Sequence, residues 1–187
     1  MPCSVELLIL GLGNVLCGDD GLGVLAVHAL ERRYRLPAGV RIVDGGTLGL
    51  SLLPLLQQAK NVVLVDAVRC AGEEPGSFVR LAGAEVPPAV RERLSPHQIG
   101  VADLLDGAAA LGCSLAEIVL LGLVPADISL RVGLSAPVAG QWPALERAIV
   151  AEARAFGYRL TAEPALEEDP LRMDAAGDLV AALGVRG

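Results

Sequence analysis

The stretch Glu6-Leu7-Leu8-Ile9-Leu10-Gly11-Leu12-Gly13-Asn14-Val15-Leu16-Cys17-Gly18-Asp19-Asp20-Gly21-Leu22-Gly23 sets the fold. Glu6 to Leu10 reads as a buried strand, and from Gly21 to Tyr34 the residues Leu22, Leu25, Ala26, Ala29 and Leu30 share one face of a helix. A strand, a glycine-rich turn and an amphipathic helix in succession form a βα unit, from which parallel sheets are built. The glycines allow close backbone approach to a ligand, and the short loop holds Asp19 and Asp20 at the sheet edge where α/β proteins bind their ligands.

The alternation continues along the chain. Val40 to Val43 is a short strand ending at Asp44-Gly45-Gly46-Thr47, and Leu48 to Gln58 has helical spacing. Asn61 to Ala67 contains Val62-Val63-Leu64-Val65, the continuous β-branched run of a strand buried on both faces, with Asp66 at its carboxyl end. Gly76 to Leu81 reads as an extra strand, and Ala84 to His97, with Pro87, Pro88 and Pro96, as a short helix followed by a loop. Gly100 to Leu111 fits a helix closed by Gly112, and Ile118 to Val124 a strand halted by Pro125. Pro143 opens a last helix with Trp142, Leu145, Ile149, Ala153 and Phe156 aligned. The expectation is an α/β fold: a single-domain three-layer sandwich, with a twisted, mostly parallel sheet and helices on both faces. The domain spans residues 1–160, and residues 161–187, with Glu163, Glu167, Glu168 and Asp169 between prolines, read as an acidic tail.

Composition narrows the function. With 187 residues, 53% of them hydrophobic but only 3% aromatic, the core must be aliphatic, as in a parallel sheet covered by helices. A formal net charge of −7 argues against nucleic acid and anionic membrane surfaces as partners. Met1 to Glu6 lacks a basic region, and the apolar run is too short for a signal peptide or membrane span, so a cytoplasmic protein is expected, and separately a monomer. Cys3, Cys17, Cys70 and Cys113 are scattered without a C-x-x-C pair, which suggests neither a zinc site nor a disulfide framework.

Two chemistries compete for the opening loop. Gly11-x-Gly13 after a strand, with Asp44 ending the next strand, partly matches a dinucleotide-binding turn. Leu16 stands where the third glycine should be, and Asp19 and Asp20 would oppose a pyrophosphate. The stronger reading is a metal site at the carboxyl ends of the strands, with Asp20, Asp66 and His97 of Ser95-Pro96-His97-Gln98 offering two oxygens and one nitrogen. Such donors suit a borderline divalent ion such as nickel or zinc, and three of them leave positions open for substrate. Each residue also has a structural reading: Asp19 as a helix cap, Asp66 paired with Arg69, His97 satisfied by backbone groups and His28 at a helix rim. A cysteine nucleophile is disfavoured because Asp19 and Asp20 would raise the pKa of Cys17, and no G-x-S-x-G elbow is present. Asp44-Gly45-Gly46-Thr47 reads as a cleft wall against which a peptide backbone fits.

These residues resemble a known family, the hydrogenase maturation endopeptidases that process the large subunit of nickel-iron hydrogenases. Gly11-Leu12-Gly13-Asn14-Val15-Leu16 with Asp19-Asp20-Gly21-Leu22-Gly23 is similar to the family's first signature. Asp44-Gly45-Gly46-Thr47, Val65-Asp66-Ala67 and Ser95-Pro96-His97-Gln98 are similar to the next three, and the similarity runs from about Val5 to Gly157. The resemblance implies a cytoplasmic aspartyl-type protease that removes a C-terminal extension from the large-subunit precursor after nickel insertion. Asp20, Asp66 and His97 would contact the nickel, which the substrate supplies and for which zinc or cadmium from a buffer can substitute. Gly11, Gly13, Asn14, Gly45, Gly46 and Thr47 would line the substrate cleft. Metal polarisation of the carbonyl, a metal-bound water and general-base action of Asp20 all remain open as routes to hydrolysis. The alternatives are a non-catalytic nickel-sensing chaperone of the same precursor and a dinucleotide-binding enzyme.

Overall fold

The computed structural model describes residues 5–86, 98–112 and 116–163. Its centre is a five-stranded sheet of β1 (Val5–Leu12), β3 (Val40–Gly46), β4 (Ala59–Ala67), β5 (Phe78–Ala82) and β6 (Glu117–Leu123), in spatial order β3-β1-β4-β6-β5. All neighbours are parallel except β5, which runs antiparallel to β6 at one edge. The expected extra strand therefore exists, as that edge.

Two apolar cores explain the continuous hydrophobic runs. Leu7 and Ile9 of β1, Val63 and Val65 of β4, and Val119 and Leu121 of β6 meet α1 (Leu22–Arg33) and the C-terminal helix Trp142–Ala155 on one face. Leu8 and Leu10, Val62 and Leu64, and Leu120 meet α2 (Leu53–Gln58) and α3 (Gln98–Ala110) on the other. Because both faces of each central strand are covered, neither residue parity can be polar, and the period-2 signal disappears from the sequence. The molecule is the expected three-layer sandwich.

Three local differences have physical causes. The helix expected over Leu48 to Gln58 is a 3-10 turn, Gly49–Leu52, followed by α2, with Pro54 in the first turn of α2 where its missing N–H costs nothing. A short helix α4 (Ala136–Gly140) precedes α5 (Trp142–Ala155). Thr161 and Ala162, just beyond the expected domain boundary, form β7, which pairs antiparallel with β2 (Tyr34–Arg35). That pairing is reinforced by a 3.0 Å ion pair between Arg35 and Glu163. The rest of the expected tail, residues 164–187, lies outside the described residues, as do 87–97 of the proline-rich stretch. No helix among the described residues is long and apolar enough to cross a membrane.

Candidate active site

The link from β1 to α1 is folded around its own carboxylates. Asp20, on the 3-10 turn Gly18–Gly21, is buried, and its Oδ2 accepts the backbone N–H of Asn14 at 2.9 Å. Two glycines make this placement possible. A Cβ on Gly13 (φ 120°) would stand 1.7 Å from the Asp20 carbonyl oxygen, so no other residue lets the loop close there. A Cβ on Gly23 would stand 2.1 Å from the Val65 carbonyl oxygen and 2.4 Å from that of Leu12. Helix α1 thus starts directly on the carboxyl ends of β1 and β4, and the turn carrying Asp20 packs against β4, whose penultimate residue is Asp66.

Asp66 is buried as well, and its Oδ1 accepts the Ala67 N–H at 2.7 Å. Strand alternation places Asp66 on the same face as Val62 and Leu64, the face covered by α2 and α3. His97 lies outside the described residues; in sequence it directly precedes Gln98, the first residue of α3. Among the described residues no group of three or more His, Cys, Asp or Glu side chains is arranged to hold a metal ion, so the expected triad depends on His97. The structure therefore brings two of the three expected donors to adjoining segments of one sheet edge.

Asp19 departs from the role expected of it. Neither the 3-10 turn nor α1 receives a side-chain cap. Instead the fully buried Asp19 carboxylate reaches across to the segment between β6 and α4. Its Oδ2 accepts the N–H groups of Ala126 and Asp127 at 2.8 and 2.9 Å and the Ser135 hydroxyl at 2.8 Å, while its Oδ1 accepts the Ser135 N–H at 2.6 Å. Four donors compensate a charge whose burial would otherwise be costly. Backbone bonds from Gly18 N to Arg131 O, Asp19 N to Asp127 O and Arg131 N to Leu16 O complete the tie. No sequence signal links Asp19 to a serine this far along the chain.

Beside the Asp20 turn lies a small cleft of about 90 Å3, open to solvent and lined by Gly13, Asn14, Val15, Val24, Asp44, Gly46 and Thr47. Of the six residues expected to wall a cleft, Gly13, Asn14, Gly46 and Thr47 do so. Gly11 and Gly45 sit behind the wall: a Cβ on Gly11 would strike the Gly23 carbonyl oxygen at 2.2 Å, and one on Gly45 the Leu10 side chain at 2.8 Å. Asp44 is held in place from two directions. Its Oδ2 lies 2.9 Å from His28 Nε2, and its Oδ1 accepts the Gly46 N–H at 2.9 Å. His28, read from sequence as a rim residue, thus braces the cleft wall from α1. Near this pair, partial burial raises the Glu31 carboxyl above its ordinary pKa, with His28 pulling it down and Asp44 pushing it up.

The hydrogen bonding of the loop excludes the dinucleotide alternative. A pyrophosphate needs unspent N–H groups at a glycine-rich turn. Between Gly13 and Asp20, every residue except Val15 donates its N–H to an acceptor within the protein, including Gly13 to Gly46 O and Asn14 to the Asp20 carboxylate. Asp44, the would-be ribose ligand, is engaged by His28 and Gly46.

The fold and site define an α/β protein with two buried carboxylates, Asp20 and Asp66, on adjoining segments at the carboxyl end of a parallel sheet, and a glycine-walled cleft beside the turn that carries Asp20. The chain belongs to the hydrogenase maturation protease family, whose model matches residues 24–152. It is 36% identical over 148 residues to the hydrogenase 2 maturation protease of Escherichia coli (strain K12), covering 79% of this chain and 90% of that protein. It is 42% identical over 160 residues to the hydrogenase expression/formation protein HoxM of Azotobacter vinelandii, covering 80% and 77% of the two chains. Among solved structures, the hydrogenase maturating endopeptidase HybD from E. coli superposes with a TM-score of 0.81 at 33% identity, over 85% of this chain and 98% of that one. The chain is accordingly a peptide hydrolase of hydrogenase maturation.

Proposed function

We propose that this enzyme removes the C-terminal extension of a nickel-iron hydrogenase large-subunit precursor, in the cytoplasm, after nickel has been inserted. The nickel arrives with the substrate and is recognised by Asp20, Asp66 and His97. The observation that carries this reading is the delivery of Asp20 and Asp66, both buried and each oriented by a backbone N–H, to adjoining segments of one sheet edge. His97 immediately precedes the helix that covers the Asp66 face, which supports it as the third donor. Two carboxylates and an imidazole form a donor set that a borderline divalent ion accepts.

The chain's own groups have distinct tasks in this reading. The glycine-lined wall at Gly13 and Gly46 receives the backbone of the extension, since neither residue presents a side chain. The Asn14 N–H fixes the Asp20 carboxylate next to that wall, where general-base action of Asp20 toward water is one of the three routes to hydrolysis open to these residues. Dependence on the bound ion makes cleavage a check that the precursor has been loaded.

The test uses the purified protein with nickel-loaded and nickel-free precursor, followed by intact mass. Loss of a C-terminal peptide from the loaded form alone is the expected result. No loss from the loaded form overturns the assignment of substrate, and loss from both forms overturns recognition of nickel.

A further inference from the structure

Asp19 and Asp20 are neighbours on the 3-10 turn Gly18–Gly21, both buried, yet their carboxylates leave the turn in different directions. A 3-10 helix advances by about 120° per residue, so Asp20 reaches Asn14 while Asp19 reaches the segment between β6 and α4. The two side chains share one short piece of backbone. A rotation of the turn that releases Asp19 therefore also swings Asp20.

The surroundings of Asp19 oppose that rotation. A Cβ on Gly18 (φ 56°) would stand 2.6 Å from the Asp127 carbonyl oxygen, and one on Gly21 2.8 Å from Val15 Cα, so the turn is seated between the Asp127 segment and the loop that carries Asn14 and Val15. Ser135 holds the N-cap position of α4, in extended conformation, where a serine hydroxyl ordinarily accepts a backbone N–H of its own helix. It makes no such cap: Pro137 offers no N–H in the first turn, and the hydroxyl donates to Asp19 at 2.8 Å instead. Neither the 3-10 turn nor α1 is capped by a side chain, so fixing the turn falls to the Asp19 carboxylate and to the backbone bonds of Gly18 and Asp19 with Arg131 and Asp127.

We propose that Asp19 is a positioning residue for the hydrolysis: held by Ala126, Asp127 and Ser135, it sets the direction in which the Asp20 carboxylate enters the site. This rests on the assignment of Asp20 to the site made above. A misplacement of about 1 Å in a reacting group can cost about a hundredfold in rate, so a four-donor hold one residue away is placed to matter to turnover as well as to folding.

The experiment compares the wild-type protein with Asp19→Asn, Ser135→Ala and Glu146→Gln. Glu146 accepts a 2.8 Å bond from Arg33 at the opposite end of α1, about 18 Å along the helix, and is the control for lost stability alone. Two quantities are read at a temperature where circular dichroism shows each variant folded: kcat/KM on nickel-loaded precursor, and the proton shift of the Asn14 amide, which donates to Asp20 and needs neither metal nor substrate to report on it. Asp19→Asn is expected to lower kcat/KM by about a hundredfold and Ser135→Ala by about tenfold, each moving the Asn14 amide upfield as its bond to Asp20 lengthens. Glu146→Gln should change neither. If Asp19→Asn does not fold, Ser135→Ala carries the test. An unmoved Asn14 amide overturns the proposal, as does a moved amide with wild-type kcat/KM, or an equal loss in Glu146→Gln. Failure of the wild-type protein to cleave overturns the substrate reading instead, and the amide shift alone then upholds or overturns the positioning of Asp20.

Discussion

The Asp19 carboxylate receives both the backbone N–H and the hydroxyl of Ser135, at 2.6 and 2.8 Å, across 116 residues of chain. Ser135→Ala removes one charge-assisted bond and leaves three, so its expected cost is about 1.5 to 3 kcal/mol. Asp19→Asn turns an amide NH2 toward backbone donors that need an acceptor, and its expected cost is larger, about 3 kcal/mol or more. Urea unfolding of the two variants measures both. Equal losses would mean that the hydroxyl alone makes the tie. A loss below about 0.5 kcal/mol in Asp19→Asn would show that the tie contributes nothing to stability.

Asp20 and Asp66 differ from Asp19 in facing the proposed chemistry. Asp20→Asn and Asp66→Asn each retain an oxygen able to accept the N–H of Asn14 or Ala67, so folding should survive, with a shift in melting temperature of only a few degrees. Cleavage of loaded precursor is expected to fall by about 10²- to 10⁴-fold in each, and His97→Ala should behave alike. Wild-type turnover in any one of the three would remove that residue from the site.

The sheet was legible in the sequence because β1, β4 and β6 are apolar at both parities, a pattern that only strands covered on both sides require. Strand order was not, since the neighbours of β1 are set by crossovers that leave no mark on local composition. The positions of Asp20 and Asp66 at the carboxyl end of the sheet were legible from the loop after β1 and the end of β4. Asp19 was misread as a cap because capping is a local role, whereas its donors come from Ala126, Asp127 and Ser135, brought in only by tertiary packing. The His28 contact with Asp44 escaped for the same reason: it needs α1 to lie against β3. Two-residue strands such as Tyr34–Arg35 and Thr161–Ala162 are too short to show any period.

The backbone crowding at Gly13 and Gly23 gives a sharp contrast with other glycines. An added methyl at Gly13 meets the Asp20 carbonyl oxygen at 1.7 Å in a backbone conformation that L side chains rarely adopt, and one at Gly23 meets Val65 O at 2.1 Å. Alanine at either position is expected to cost about 3 kcal/mol or more and to displace the Asp20 turn, abolishing cleavage. At Gly140, in α4, a Cβ would meet nothing within 4 Å, and Gly140→Ala should be neutral or stabilising by up to about 1 kcal/mol. Thermal unfolding of the three variants checks this ranking, and a Gly13→Ala protein as stable as Gly140→Ala would contradict the packing described.

The group formed by His28, Asp44 and Glu31 predicts how stability responds to pH. Glu31 has its pKa raised above the ordinary 4.5, first by partial burial, against the lowering influence of His28. The unfolded chain therefore ionises at this position before the folded one does. The contribution of Glu31 to stability is fully present below the ordinary value and is lost as pH rises through the folded value. Glu31→Gln stays neutral throughout, so its stability relative to the wild type should increase as pH rises across that window. His28→Ala removes the positive partner and should push the Glu31 carboxyl higher, widening the window, while also releasing Asp44 from its 2.9 Å contact at the cleft wall. Because the Glu31 side chain reaches solvent, the effect is modest and best read as a change of slope in urea unfolding over a pH series. Parallel profiles for wild type and Glu31→Gln would show that Glu31 titrates alike in folded and unfolded protein, against the coupling to His28 and Asp44 described.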